Sequence, residues 1–361
     1  MGEIPWFGDI LFGLLGLIIG SFLNVVIHRL PIDGASLVRP RSSCPKCGHE
    51  IRWFENLPVL SYLFLRGKCR GCQAPISLRY PMVELITGGL FVALYETWMV
   101  PYLADGPSTA EWLRLFVWFY LVSVLIAATF IDIDHRILPD ELTLSGLILA
   151  PLACVLCPLL QEDRIGAVLV TKQGWQHWLP LLAGGIAAGA TMVVLRVHAA
   201  AELLDDESDQ SGQAMPPVPK RSLGSVWPGV LVGVVVGILT FLLPQERSAA
   251  LVSSAIGIGI GGGLLLAVGL LGTFAFKKEA MGFGDVKYLA MIGGFLGARA
   301  ALLTFLLACV LGSVLGLLRM LFTKDHYLAF GPYLSVGAIL VLLFEDRILV
   351  FVTETWPNLF R

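Results

Sequence analysis

The sequence predicts an all-α polytopic membrane protein with about 9–10 transmembrane helices. Of its 361 residues, 56% are hydrophobic and only 14% charged, and the mean hydropathy is +0.79. That much apolar surface exceeds what a water-soluble core encloses. The apolar residues are also gathered into long stretches. A spanning helix needs about 20 mostly apolar residues, and windows near 8–30, 82–100, 112–131, 141–160, 179–197, 226–243, 250–276, 300–321 and 329–351 satisfy this. A further stretch, 286–298, is short enough that it either crosses or re-enters.

The first window begins with MGEIPWFGDI, which has no basic residues, while His28 and Arg29 follow the apolar run. That charge order describes a retained anchor over 1–30 with its N-terminus outside, rather than a cleaved signal peptide. Residues 31–80 form the first large loop. Arg29, Arg39, Arg41, Lys46, Arg52, Arg66, Lys68, Arg70 and Arg79 crowd this region, whereas the 101–111 connection has no Lys or Arg. The loop is therefore expected to be cytoplasmic. The net charge of −2 gives no electrostatic reason to expect a nucleic-acid partner.

Inside that loop, Cys44-Pro-Lys-Cys47 and Cys69-Arg-Gly-Cys72 are separated by 21 residues. Two C-x2-C knuckles at this spacing predict a small zinc-ribbon-like structure in which four thiolates hold one tetrahedral Zn2+. A reducing cytosol argues against disulfides. Nearby Lys46, Lys68 and Arg70 favour thiolates, and metal binding would fold a loop too small for its own core. His49 reads as a spare near the metal or as a solvated residue. Cys154 and Cys157 repeat the spacing inside an apolar stretch, where thiols behave as small hydrophobes, and Cys309 reads the same way.

Residues 81–160 are expected to hold membrane helices ending in a first acidic cluster, FIDIDHRILPD. Asp132 lies closest to the apolar segment; Asp134, His135 and Arg136 read as solvated charge, and Asp140 as the start of the next helix. Residues 161–249 read as an inserted helix pair around a polar linker, 198–225, which is acidic and Pro-containing. Residues 250–361 hold further membrane helices and the second acidic motif, Gly282-Phe-Gly284-Asp285, followed by Lys287. Counting crossings from an outside N-terminus puts both acidic motifs on the cytoplasmic side. If Asp132 and Asp285 face one another, the pair holds one proton, so that one carboxylate activates water while its partner polarises a carbonyl. Gly282 and Gly284 would let an extended substrate strand approach. Glycines elsewhere in 255–297 read as helix-packing residues.

The stretches GSFLNVVIHRLP (20–31), ENLPVLSYL (55–63), RYPMVEL (79–85), FIDIDHRILPD (130–140), GFGDVK (282–287) and FGPYL (330–334), with the double cysteine loop, resemble the type IV prepilin peptidases in both content and order. These enzymes are also called prepilin leader peptidase/N-methyltransferases, within the GxGD class of intramembrane aspartyl proteases. The resemblance implies cleavage of a basic leader from prepilins or pseudopilins at the cytoplasmic face of the bacterial inner membrane. S-adenosylmethionine-dependent methylation of the new N-terminus is the implied second step. It also implies Asp132 and Asp285 as the catalytic pair, with Asp134 the alternative for the first role. A non-catalytic zinc-ribbon scaffold for pilus or secretion-system assembly is the competing expectation; an ion transporter is disfavoured because no inverted repeat is evident.

Overall fold

The computed structural model describes residues 5–32, 36–38, 42–161, 238, 242–276, 281–322 and 329–355. The expected crossing at 179–197 and the linker at 198–225 lie outside these residues, as does 226–243 apart from Ile238, Leu242 and Leu243. The described residues are helical, without extended strands. In order they form α1 (Pro5–Arg29), the short α2 (Leu60–Phe64), α3 (Arg79–Trp98), α4 (Thr109–His135), α5 (Asp140–Leu156), α6 (Gln245–Phe276), α7 (Phe283–Leu296), α8 (Ala298–Phe322) and α9 (Gly331–Val350).

Among the described residues, five segments are long and apolar enough to cross a bilayer: Trp6–Arg29, Arg79–Tyr102, Thr109–His135, Gln245–Ala275 and Ala298–Leu318. They coincide with five of the expected windows, so the chain is a multi-pass membrane protein. Helices α5 and α9 cover the windows at 141–160 and 329–351; α5 has 17 residues, with Pro151 inside it.

The chain divides into two compact units, residues 1–142 with 306–361, and residues 143–305. In the first, α1 packs on α3 through small residues. A methyl group at Gly16 would lie 2.7 Å from Gly88 Cα, and one at Gly20 would lie 2.7 Å from Glu84 Cα. Such close backbone approach is how helices associate where lipid offers no hydrophobic drive. Phe91 stacks on Phe119 with ring centroids 4.0 Å apart. Arg114, 1% exposed, lies over the rings of Trp98 and Tyr102 at 4.7 and 5.3 Å.

Helix ends at one pole of this unit are tied together. Asn24 Nδ2, on the last turns of α1, donates to Tyr80 O at the start of α3 at 3.1 Å. Arg79 donates to the Asp134 carboxylate and, at 3.3 Å, to Phe130 O on the last turns of α4. The cysteine loop joins α1 to α3 at this same pole. Helix α4 stops there because Arg136 takes the left-handed conformation, with φ 58°, and its N–H returns to Asp132 O at 3.0 Å.

In the second unit, α6 and α7 meet so closely that a side chain at Gly257 would overlap the Gly293 carbonyl, the packing role expected of these glycines. Helix α7 has 14 residues, about 21 Å at 1.5 Å per residue, short of the ~30 Å hydrocarbon thickness. Its final carbonyls, orphaned by the end of the helix, find side chains instead. Gly294 O accepts from Ser254 Oγ at 2.8 Å and Gln161 Nε2 at 3.1 Å, and Gln161 Nε2 also donates to Phe295 O at 3.1 Å. The stretch 286–298 therefore ends inside its unit, and Gly297, with φ +89°, turns the chain into α8. Cys154 and Cys157 are fully buried, as expected of small hydrophobes, whereas Cys309 is half-buried.

Candidate active site and four-cysteine centre

Each cysteine knuckle is built by the same local bonds. Cys44 N–H donates to His49 O, and Gly48 N–H returns to Cys44 O; Cys69 N–H donates to Ala74 O, and Gln73 N–H returns to Cys69 O. Gly48 and Gln73 hold equivalent places, four residues beyond the first cysteine, and both have positive φ, 71° and 60°. Isolated bridges, Ser43 with Glu50 and Lys68 with Pro75, close the two loops.

The knuckles bring Cys44, Cys47, Cys69 and Cys72 together, with all four sulfurs within 4.8 Å of one another. Cys44 Sγ to Cys72 Sγ and Cys47 Sγ to Cys69 Sγ are both 3.9 Å. A tetrahedral ion with metal–sulfur bonds of about 2.3 Å requires sulfurs roughly 3.8 Å apart, so the donor set fits a zinc-sized ion. Backbone N–H groups of Lys46 and Cys47 help draw the Cys44 thiol down to about 6, whereas burial and the neighbouring thiols push Cys47 up to about 12, so Cys44 is the first of the two to reach the thiolate.

His49 is not part of the sulfur cluster. Its Nε2 lies 3.1 Å from Glu55 Oε2, and Arg70 NH1 lies 3.4 Å from Glu55 Oε1. Glu55 also accepts Arg52 N–H at 3.0 Å. One carboxylate thus ties a residue of each knuckle to the short turn at Trp53–Glu55. The Arg52 amide first, then His49 and Arg70, hold the Glu55 carboxyl below the usual carboxylate range.

The loop is fastened to the membrane helices through Glu84. This buried residue of α3 accepts Val59 N–H at 2.7 Å. Val59 is held at φ 60°, ψ −46°, a conformation unfavourable for a β-branched residue.

Among the expected catalytic residues, Asp132 lies near the end of α4 and is 6% exposed. Its Oδ2 accepts Gly331 N–H at 3.0 Å. Asp134, the alternative, is exposed and paired with Arg79, whose guanidinium also lies over the Phe130 ring at 5.0 Å. The neighbouring acids thus occupy different settings, one buried beside a backbone amide and one neutralised at the surface.

Asp285 lies half-exposed in the first turn of α7, where helix amides favour a carboxylate. Its N–H donates to Gly282 O at 3.3 Å. Gly282 is the residue before the helix, and Gly284 falls in its first turn. A methyl at Gly282 would make only ordinary contact, 3.8 Å from Asp285 Oδ2, so internal packing does not demand glycine there. Lys287 is buried, with Nζ 5.6 Å from the centre of the Phe283 ring. Asp132 belongs to the first unit and Asp285 to the second.

Apart from the place of Arg79 among the basic residues of the loop, the sequence assigns no role to Arg79, Glu84 or Gly331. All three lie in the resembling stretches RYPMVEL and FGPYL, but their partners are 25 to 199 residues away along the chain. Only a buried Glu in an apolar helix offered an independent signal.

Membrane helices with acids at two helix ends and a four-cysteine loop define a polytopic protein equipped for metal binding and acid chemistry. Residues 14–98 match the bacterial peptidase A24 N-terminal domain, and residues 225–317 match the type IV leader peptidase family. The chain is 34% identical to a prepilin leader peptidase/N-methyltransferase of Aeromonas hydrophila, over 96% of this chain and 93% of that one. It is 31% identical to a protein so named in Stutzerimonas stutzeri and 30% identical to one in Pseudomonas aeruginosa, each over 93% of this chain and 90% of the relative. No solved structure matches. The chain belongs to the type IV leader peptidase family.

Proposed function

We propose that this protein is a membrane aspartyl endopeptidase that removes the basic leader of type IV prepilins or pseudopilins and then methylates the new N-terminus. Asp132 and Asp285 are its catalytic pair. The observation that carries this reading is the contrast at the end of α4: Asp132 is buried against a backbone amide, while Asp134 is consumed by Arg79. The resemblance supports it, because both acids stand at the motif positions it implies, and Asp285 also lies within the region 225–317 that matches the type IV leader peptidase family.

In the proposed reaction, one carboxylate takes a proton from water as the oxygen attacks the scissile carbonyl, and the protonated partner donates to the carbonyl oxygen. Collapse of the tetrahedral intermediate, with the proton taken from water passed on to the departing nitrogen, releases the leader carboxylate and the new amine. Gly282 and Gly284 border the path of the extended substrate strand, and Lys287 supports the motif from within α7. S-adenosylmethionine, when bound, supplies an electrophilic methyl group to that amine; its site on this chain is unassigned. Zn2+ held by Cys44, Cys47, Cys69 and Cys72 plays a structural part, since four thiolates leave no open position for chemistry.

In this reading the protein lies in the bacterial inner membrane. Residues 1–30 form the anchor, 31–80 the cytoplasmic metal loop, 81–160 and 250–361 the catalytic membrane regions, and 161–249 an inserted segment. Cytoplasmic placement is supported by the basic loop, which lies at the same pole of the first unit as Asp132.

The test is incubation of the purified protein in lipid with a prepilin and S-adenosylmethionine, read by intact mass. Leader loss by wild type, absent in Asp132→Asn and in Asp285→Asn, is expected, with a methyl added to the wild-type product. Unimpaired cleavage by either folded variant would sink the assignment of that acid.

A further inference from the structure

Helix α9 opens with Gly331-Pro332-Tyr333-Leu334. The first N–H groups of a helix have no partner within it. Pro332 has no N–H, while Tyr333 and Leu334 donate to Phe330 O at 3.1 and 3.2 Å. Gly331 N–H instead leaves the helix and donates to Asp132 Oδ2, in a buried setting, at 3.0 Å. Ser335 Oγ donates to Gly331 O at 3.0 Å and steadies the same turn.

The space around residue 331 is as specific as its bond. A Cβ there would stand 2.6 Å from Asp132 Oδ2 and 3.2 Å from Asp132 Cγ. The first distance is about 0.8 Å below the 3.4 Å at which ordinary contact begins. Backbone conformation does not demand the glycine, because its φ lies outside the left-handed region. The carboxylate is what leaves no room for a side chain.

We propose that Gly331 is a positioning residue for the leader-peptidase reaction. Its amide grips Asp132 Oδ2, and its missing side chain lets the carboxylate sit against the backbone, leaving Oδ1 for water or the partner acid. The proposal rests on the reading of Asp132 as catalytic. Any residue larger than glycine displaces the carboxylate by a fraction of an ångström, and misplacement of a reacting group on the 1 Å scale costs up to about 100-fold in rate.

The test combines kinetics with a stability cycle in lipid or detergent. Gly331→Ala is expected to lower kcat for prepilin cleavage about 10- to 100-fold with KM within about twofold, because substrate binding is untouched. Gly331→Ala should also lower the unfolding midpoint of the wild-type protein but not of the Asp132→Ala background, where the added methyl fills vacated space. Should Gly331→Ala alone fail to fold, recovery of folding in the double variant supports the proposal, and failure in both backgrounds overturns it. Wild-type kcat in Gly331→Ala, or strictly additive midpoints, would also overturn it. Full cleavage by Asp132→Asn would remove the catalytic reading, and the positioning role with it, even if the stability cycle stays coupled; the two failures are thereby distinguished.

Discussion

Replacing Glu84 with alanine should loosen the cysteine loop where it joins the membrane helices. In the structure the Val59 N–H donates to Glu84 Oε2 at 2.7 Å, and Val59 is held at φ 60°. A β-branched residue at φ 60°, ψ −46° sits outside the favoured regions, at a cost of about 1–3 kcal/mol, so this turn persists only while its bond offsets the strain. Removing the acceptor leaves a part-buried N–H unsatisfied, at a cost of up to about 1–3 kcal/mol. The strained turn is then the part that relaxes. Local opening should become easier by that amount, which is about a 5- to 150-fold increase in amide exchange. Hydrogen-exchange mass spectrometry on peptides covering residues 57–65, with the protein in lipid, measures this directly. Glu84→Gln, which keeps a carbonyl acceptor, should move exchange far less. Equal exchange in wild type and Glu84→Ala, or equal effects of Ala and Gln, would refute the reasoning.

Two further outcomes follow from the same structure. At the end of α7, Gly294 O accepts from both Ser254 and Gln161, so Ser254→Ala or Gln161→Leu alone should cost about 1 kcal/mol each. The double variant should lose up to about 1 kcal/mol beyond their sum, because the carbonyl then keeps only the weaker Cys154 Sγ donor at 3.7 Å; denaturant titrations in detergent read the coupling, and additivity would argue against a shared cap. At the metal loop, the Glu55 carboxyl has a folded-state pKa depressed below its ordinary value of 4.5. Its stabilisation is therefore present above the unfolded pKa and lost as pH falls through the folded one. Metal retention followed through this acidic range should fall more steeply in wild type than in Glu55→Gln, and superimposable curves would count against the Glu55 tie.

Much of this architecture is legible in the sequence because it rests on local or compositional rules. Apolar stretches near the length of a bilayer crossing mark α1, α3, α4, α6 and α8 wherever the chain later packs. The two C-x2-C pairs announce a tetrahedral sulfur site because each knuckle is closed by bonds within about six residues. Even the end of α4 is local, with Arg136 turning the chain just past the acidic cluster.

Other features depend on partners far away in sequence. Periodicity could not tell that 286–298 ends inside the protein, because the donors that cap it come from Gln161 and Ser254. The settings of Asp132 and Asp134, two residues apart at one helix end, likewise rest on distant partners: Arg79 pairs with Asp134, and Gly331, 199 residues along the chain from Asp132, donates to it.

The sequence by itself determined the membrane class, five of the expected helix spans, the four-cysteine cluster and the candidate acids, since hydrophobic length and residue spacing suffice for each. Only the tertiary structure decided which acid is buried, which glycine it rests on and which glutamate fastens the loop. Those assignments depend on hydrogen bonds between distant segments, and bonds of that kind leave no period or local pattern in the chain.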